Sequence, residues 1–225
     1  MISSSEFQII LISLRASFLA ILIILPLGVF VAWIITKTHF KGKFFLELIS
    51  SLPLALPPVV TGYFLLWLLG SGSITGRYIE IVFSDNLAFT WISTVLAAAV
   101  VSFPLSVRAF TVAFQSVDPN LEQCARGLGA NNIKIFFTIT LPLSLRGVFA
   151  GLILGFARAF SEFGATIIVA GNIPGETSTV PLSIYSNIII GDSESATRLI
   201  LVSIFIATIT LVVHNRLIHI GTKQK

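Results

Sequence analysis

Long runs of apolar residues alternate with short polar segments along the whole chain. Five of these runs reach or exceed the roughly 20 residues that a helix needs to cross the hydrocarbon core of a bilayer. They predict membrane-spanning helices at 9–35, 44–69, 87–114, 143–170 and 199–220. The run Val180–Ile190 is too short to cross and predicts a re-entrant or interfacial helix. The pattern therefore predicts an all-α integral membrane protein, with residues 1–225 forming a single transmembrane domain of about five spans.

The composition is that of a membrane protein. Of the 225 residues, 55% are hydrophobic and 11% are charged, whereas soluble domains carry about 25% charged residues. The net charge of +4 does not indicate nucleic-acid binding, because the basic residues are sorted by loop. Cys124 is the single cysteine, so no disulfide is expected within the chain. No cleavable signal is expected, because Glu6 precedes the first run and no basic segment does.

The distribution of Lys and Arg predicts the orientation of the spans. If the polar segment 118–142 is cytoplasmic, ten basic residues lie in inside segments and only Arg77 and Arg198 lie in outside segments. The remaining two of the fourteen, Arg15 and Arg158, lie within spans. This bias predicts a periplasmic N-terminus and a cytoplasmic C-terminus.

The longest polar interruption is segment 118–142, which reads DPNLEQCARGLGANNIKIFFTITLP. Asp118 is a good N-cap, and Pro119 suits the first turn of a helix. Apolar residues then recur at helical spacing and predict a short amphipathic helix that stops at Gly129. The pair Leu141-Pro142 predicts a kink before the next apolar run.

The second run contains SSLPLALPPVVTGYFLL, in which Pro53, Pro57 and Pro58 lie at membrane depth. Prolines remove backbone donors, and lipid cannot satisfy the carbonyl groups that are left free. A helix broken in this way either lines a substrate pathway or only shapes helix packing, and both readings stay open. Thr61 and Gly62, just beyond the break, are small or polar residues suited to face a pore.

The fourth run carries two opposite charges. Arg158 and Glu162 are four residues apart, so they share one helix face and are expected to pair towards the protein interior. The pair either belongs to a pathway or gate, or it is a structural ion pair that fixes helix packing.

Other chemistries lack a sequence signature. The phosphate-binding pattern G-x-x-x-x-G-K-[ST] does not occur, so the chain is not expected to bind ATP by that route. His39, His214 and His219 are scattered, without the spacing of metal ligands. No convincing Ser/His/Asp arrangement occurs either. We therefore expect no catalytic residue, no metal and no cofactor on this chain.

Segment 118–142 resembles the signature of importer-type ABC transporter permeases, which is EAA, three residues, Gly, nine residues and I-x-LP. Gln123-Cys124-Ala125 fills the EAA positions, Gly129 the glycine and Ile139-Thr140-Leu141-Pro142 the end, without an insertion. The departures are Gln123 in the Glu position, with Glu122 one residue early, and Cys124 in the first Ala position. Two further stretches, LPLALPPVVTGY and FARAFSEFGATIIVAGNIPGETSTVPLSIY, are similar to the molybdate branch and more loosely to sulfate/thiosulfate permeases. The resemblance covers about residues 8–219.

The resemblance implies a type I ABC importer permease of the inner membrane, with a cytoplasmic coupling helix in segment 118–142. Two permease copies would form the pathway, two cytoplasmic ATP-binding subunits would use ATP, and a periplasmic molybdate-binding protein would deliver the anion. The chain itself would be no enzyme. The coupling residues would be Leu121, Glu122, Gln123, Ala125, Leu128 and Gly129. All of these except Gln123 are expected on the face that contacts the ATPase.

A dianion that crosses a membrane needs hydrogen-bond donors, but a strong site would trap it. The candidates for the pathway or its gate are Pro57, Pro58, Thr61, Arg158, Ser161, Glu162 and Thr166. Arg15, near the outer end of the first run, either attracts the anion or snorkels to the membrane surface. Three alternatives to a molybdate permease remain: a sulfate/thiosulfate permease, a stand-alone ion-coupled carrier or channel, and a non-transporting scaffold. Tungstate is not distinguished from molybdate.

Overall fold

The computed structural model describes residues 3–38, 41–83 and 87–222, and all their side chains except those of 79, 80, 82, 83 and 219–222. Every regular element in these ranges is helical. The helices are α1 (Ser4–Lys37), α2 (Lys43–Ala55), α3 (Pro58–Leu69), α4 (Ile74–Phe83), α5 (Trp91–Gln115), α6 (Pro119–Gly127), α7 (Asn132–Ile135), a π-helical turn (Phe136–Thr140), α8 (Leu141–Phe160), α9 (Gly164–Val169), α10 (Val180–Ile190) and α11 (Ser193–Thr222).

Four helical segments of the described chain are long and apolar enough to cross a membrane. They are Ser4–Lys37, Trp91–Gln115, Asn132–Phe160 and Ser193–Ile218. The bent pair α2 and α3 makes a fifth if it counts as one span. The prediction of an all-α protein with about five spans is therefore confirmed, and Val180–Ile190 forms a short helix.

The predicted break in the second span is confirmed and lies between α2 and α3. The chain direction changes there by 111°. Leu56 and Pro57 are extended, with ψ of 145° and 135°, because each precedes a proline that excludes the helical region. Pro53 lies inside α2 and does not end it.

Two predicted boundaries near the first and second spans are wrong. The polar start is helical from Ser4, because Ser3 and Glu6 form a capping box in which each side chain accepts from the other's backbone N–H. The segment between the second and third predicted spans contains a helix of its own, α4. The Ser73 hydroxyl accepts from the Gly76 N–H at 2.8 Å and so starts this helix.

The boundaries of the fourth span also differ from the prediction. The helix begins at Asn132 instead of 143, and no break occurs at Leu141-Pro142. In the π-helical turn the Leu141 N–H donates to the Phe136 carbonyl, five residues back, and this shift of register carries the helix past Pro142. At the far end the span stops at Phe160 instead of 170, and α9 follows as a separate short helix.

The core lies where α1, α5 and α8 pack closely through small residues. A Cβ added at Gly28 of α1 or at Gly151 of α8 would lie 2.9 Å from the ring of Phe110 in α5. One added at Gly147 would lie 2.6 Å from the Ala113 Cβ. Small residues allow this close approach, which is how membrane helices gain packing energy without a hydrophobic driving force.

Helix α1 connects the two ends of the molecule. At its start, the Glu6 carboxylate lies 2.8 Å from Arg198 Nε of α11, and the Ser13 hydroxyl accepts from the Val180 N–H of α10 at 2.7 Å. At its end, Lys37 Nζ lies 2.8 Å from the Glu122 carboxylate of α6. A helix of this length spans about 50 Å. The short helix α6 and the start of α11 are therefore at opposite ends.

Candidate functional site

Helix α6 begins and ends as the sequence predicts. The Asp118 carboxylate accepts from the Asn120 N–H at 2.9 Å. At the other end Gly129 has φ +85°, and the N–H groups of Gly129 and Ala130 donate to the carbonyls of Arg126 and Ala125, each at 3.0 Å. These two bonds form a Schellman motif, which needs a left-handed residue at the glycine position.

One side of this segment presents apolar side chains at the surface. Leu128 is 90% exposed, Ile133 61% and Leu121 47%. Gln123 and Cys124 are exposed as well, and Ala125 is half-buried. Helix α6 has only nine residues and is too short to cross a membrane, so these exposed leucines are candidates for contact with another protein.

Glu122 does not lie on that exposed face. Its side chain points into the protein and is buried, where it accepts from the Thr140 hydroxyl at 2.6 Å and pairs with Lys37 Nζ at 2.8 Å. The expectation that Glu122 contributes to the outer contact face is therefore wrong. Helical spacing could not show this, because both partners come from other elements. Glu122 ties α6 to α1 and to the π-helical turn.

Aromatic side chains pack together where the polypeptide that follows α6 meets α1 and α5. Phe136 of the π-helical turn lies 5.4 Å from Trp33 of α1 and 5.6 Å from Phe114 of α5, measured between ring centroids. Such tilted and edge-on contacts contribute about 0.5–1.5 kcal/mol each beyond burial. A cavity of about 290 Å³ lies between the end of α1 and α6, beside the Lys37–Glu122 pair, and both of these residues line it.

The broken second span meets the broken end of the fourth. A Cβ at Gly62 would lie 2.6 Å from the Ala165 carbonyl oxygen, and one at Gly164 would lie 2.8 Å from the Pro58 Cβ. Helices α3 and α9 thus begin side by side and run in the same direction. These contacts bring Pro58 and Gly62 against α9, the helix that carries Thr166.

The predicted pairing of Arg158 and Glu162 is confirmed, with Nη1 and Oε2 2.7 Å apart. The pair forms across the end of α8, which stops at Phe160, so it is not a pair within one helix. Glu162 is 2% exposed, and its other oxygen accepts from the Ala165 N–H at 2.8 Å, which caps α9. Ser161 is exposed and its hydroxyl donates to the Arg158 carbonyl at 3.1 Å.

The hydroxyl residues proposed for a pathway differ in access. Ser161 is exposed, whereas Thr61 and Thr166 are 5% and 1% exposed. Among the described residues the Thr61 hydroxyl oxygen has no hydrogen-bond partner. Among the polar candidates, Ser161 is exposed and the Arg158 side chain is partly exposed, whereas Thr61, Thr166 and Glu162 are buried.

Arg15 has a partner that the sequence did not indicate. Its guanidinium lies over the ring of Trp91, with Cζ 4.8 Å from the ring centroid. Sequence reasoning also missed the ion pairs at the start of α11, in which Arg198 binds both Glu6 and Glu194. Asp192, just before α11, accepts from the Ser195 N–H at 3.0 Å, and this bond lowers the pKa of the Asp192 carboxyl below its ordinary value.

The class of protein to which the chain belongs follows from a family match over most of its length. Residues 7–219 match the family model described as binding-protein-dependent transport system inner membrane component, and the chain belongs to this family. Membership favours a transport subunit over an enzyme, a stand-alone carrier or a non-transporting scaffold. The multi-pass architecture agrees with an inner membrane protein.

Particular relatives are the molybdenum transport system permease proteins ModB. That of Escherichia coli (strain K12) is 46% identical over 224 residues, which are 99% of this chain and 98% of the relative. That of Haemophilus influenzae is 47% identical over 207 residues, covering 92% and 90%. The sulfate transport system permease protein CysT of Salmonella typhimurium is 33% identical over 174 residues, covering 77% and 62%.

Solved structures confirm the predicted type of fold. A bacterial ABC transporter involved in the import of alginate superposes with a TM-score of 0.73 at 19% identity, covering 99% of this chain and 81% of that chain. The MetNI methionine ABC transporter, in inward facing conformations, superposes with a TM-score of 0.69 at 13% identity, covering 96% and 93%. At these identities the likeness concerns the fold alone.

Proposed function

We propose that the chain is the membrane-spanning subunit of an ATP-driven importer that carries molybdate or tungstate across the inner membrane. The observation that carries this proposal is the identity of 46% over nearly the full length of a molybdenum permease. The sulfate permease shares 33% over a shorter stretch. Sulfate or thiosulfate is therefore the second candidate substrate.

In this proposal the chain works as one of two permease copies and binds no cofactor itself. Two cytoplasmic ATPase subunits use ATP and contact the exposed Leu121 and Leu128 of α6. A periplasmic molybdate-binding protein docks at the opposite end, near the starts of α1 and α11. The charge distribution supports this orientation, with a periplasmic N-terminus and a cytoplasmic C-terminus.

The geometry offers a route by which force on α6 reaches the helix break at the far end of the fourth span. The helix from Asn132 to Phe160 is continuous and runs from the α6 segment to the break at residues 161–163. It spans about 43 Å at about 1.5 Å per residue. A push or pull on α6 therefore displaces the Arg158–Glu162 pair and, through the tight Gly62–Ala165 contact, the first turn of α3.

Weak binding suits the proposed pathway. Arg158 attracts an anion, but its charge is compensated by Glu162 at 2.7 Å. The exposed Ser161 offers a neutral hydroxyl group. A dianion held by such groups is attracted without being trapped, as conduction requires. High affinity is left to the binding protein.

Uptake of labelled molybdate by cells that contain the chain and its partner subunits tests the proposal. We expect uptake that unlabelled molybdate and tungstate inhibit and that sulfate does not. The matched control is the same strain without the ATPase subunit, in which uptake should stop. Sulfate uptake that is unaffected by molybdate would establish the second candidate instead. Uptake that persists without the ATPase would overturn the importer mechanism.

A further inference from the structure

A second cavity, of about 480 Å³, lies at the start of α5, away from both the α6 segment and the helix break. Helices α1 and α5 and the segment before α10 form its walls. The residues that matter for its chemistry are Arg15, Thr90, Trp91, Thr94 and Glu176. We propose that this cavity binds a tetrahedral oxyanion, either a free one or the phosphate of a phospholipid headgroup.

The N-terminus of α5 supplies the first attraction for an anion. This helix is 25 residues long, and its N-cap residue Thr90 makes no side-chain capping bond. The Thr90 hydroxyl donates instead to the Leu87 carbonyl at 2.7 Å. The N–H groups of the first turn therefore lack the usual side-chain acceptor. The helix dipole also places a partial positive charge at this end of α5. Such termini bind phosphate and similar anions.

Arg15 supplies the formal charge. Its guanidinium is held over the face of Trp91, at 4.8 Å from the ring centroid. No Asp or Glu among the described side chains lies within ion-pair distance of it. This contact with the ring leaves N–H groups of the guanidinium available for two oxygens of one ligand.

Thr94 supplies a second, independent feature of the cavity, a buried hydroxyl group without a partner. It is 2% exposed and lines the cavity, yet within the described part of the chain its hydroxyl oxygen has no hydrogen-bond partner. Buried hydroxyl groups are nearly always satisfied, so one without a partner indicates a group from outside the chain. An oxyanion between Arg15 and the start of α5 would accept from this hydroxyl.

Glu176 distinguishes the two sources of the oxyanion. It is exposed and also lines the cavity. Its carboxylate repels a free dianion and therefore weakens binding. Beside the phosphate of a phosphatidylethanolamine headgroup, the same carboxylate would instead pair with the ammonium group. Replacing Glu176 by Gln should thus strengthen the binding of a free oxyanion and weaken that of this lipid.

The level of the cavity in the membrane allows both a free oxyanion and a lipid phosphate to reach it. Arg15 and Lys37 lie about 33 Å apart along α1 at about 1.5 Å per residue, which is close to the roughly 30 Å thickness of the hydrocarbon core. Arg15 and Trp91 therefore lie at the level of the headgroups opposite the α6 side, where tryptophan is favoured. The site rests on the proposed function only for the choice of molybdate as the free anion.

Trp91 provides a direct probe of binding. The substitutions Trp33→Phe and Trp67→Phe leave Trp91 as the single tryptophan of the permease. This full chain is purified together with its ATPase partners. The fluorescence of the partners is subtracted by using the same complex with Trp91→Phe in addition. Sodium molybdate and sodium phosphate are titrated in detergent without added lipid. We expect a saturable change in Trp91 fluorescence that needs about tenfold more anion after Arg15→Gln or Thr94→Val and less after Glu176→Gln.

The test for a lipid phosphate places the complex in nanodiscs and measures the phosphorus that stays bound to the protein. If the phosphate comes from lipid, free anions leave the fluorescence unchanged. Phosphatidylethanolamine nanodiscs then shift it more than phosphatidylglycerol nanodiscs do, and bound phosphorus falls after Arg15→Gln. Arg77→Gln, an exposed arginine that does not line the cavity, is the matched control and should change neither readout.

Two results would overturn the site: no response to either source, or responses that Arg15→Gln and Thr94→Val leave unchanged. Thr94→Val removes only a hydroxyl of a side chain with nearly the same volume, so it tests the site even if Arg15→Gln reduces folding. The assay needs neither ATP nor uptake. Loss of molybdate transport with retained anion binding would therefore contradict the proposed function and leave the site standing.

Discussion

Glu122 of α6 and Lys37 at the end of α1 form an ion pair with 2.8 Å between Oε1 and Nζ. The acid is 8% exposed, and it accepts a second bond from the Thr140 hydroxyl. The proposed coupling helix is therefore attached to two spans, one by charge through α1 and one by covalent continuation into α7 and α8.

Glu122→Gln should weaken the coupling between ATP hydrolysis and uptake. The amide keeps an acceptor for Thr140 but loses the charge opposite Lys37. Breaking a well-buried pair costs about 3–5 kcal/mol, and the partial exposure of Lys37 reduces this, so we expect about 1–3 kcal/mol. The measurement is molybdate imported per ATP hydrolysed, which should fall. Glu47→Gln, whose contact with Lys43 is 4.0 Å long and exposed, is the control. An unchanged ratio would contradict the role of Glu122.

Gly129→Asp should also uncouple hydrolysis from uptake, through backbone strain. No atom lies within 4 Å of a Cβ added at Gly129, so the cost comes from its φ of +85°. Side chains other than glycine pay about 1 kcal/mol or more there, and the strain reorients the neighbouring Leu128. Gly127→Ala is the matched control, because that glycine is helical and equally open. Equal uptake by both variants, at equal protein levels, would contradict the assignment of this loop.

Gly62→Ala should force α3 and α9 apart. The added Cβ would lie 2.6 Å from a backbone carbonyl oxygen that cannot rotate away, and overpacking of this kind costs about 1–3 kcal/mol. We expect lower thermal stability of the purified complex and slower uptake. Gly72→Ala, which meets no atom within 4 Å, should leave both unchanged. A Gly62→Ala complex as stable as the control would show that the crossing is not tight.

Glu162→Gln should damage assembly or gating, because it leaves Arg158 without its counter-charge in a site where the acid is 2% exposed. The expected cost is on the order of 3 kcal/mol. Protein level in the membrane and uptake per molecule separate the two effects. Glu194→Gln, at a side chain that is 86% exposed, serves as the control. Normal level together with normal uptake would show that the pair has no role.

Features set by neighbouring residues could be predicted from the sequence. The N-cap at Asp118, the glycine stop at Gly129 and the break at Pro57-Pro58 each follow from backbone rules that act over a few residues. The Arg158–Glu162 pair also follows from short spacing. The number of spans could also be predicted, because it depends on the length and apolarity of each run. The predicted ends were less accurate, and the start of the fourth span differs by eleven residues, at Asn132 instead of 143.

Features that depend on packing between distant segments could not be predicted. The inward direction of Glu122 is set by Lys37 and Thr140, and the stacking of Arg15 is set by Trp91. The continuation of the helix through Pro142 could not be predicted either, because it depends on a π-helical turn just before the proline. The exposure of the candidate hydroxyl groups depends on how α3 packs against α9. The sequence shows that small residues are present there, but it does not show this packing.

The attachment of α1 at both ends has a thermodynamic consequence. A continuous helix of about 50 Å that is bound at one end to Arg198 and at the other to Glu122 connects the positions of these two residues. If a protein docked near the start of α1 favours one position of this helix, it changes the affinity of α6 for its own partner. By linkage, the partner of α6 must change the affinity for the docked protein by the same factor. Measuring either affinity with and without the other ligand would give the coupling free energy of the whole transporter.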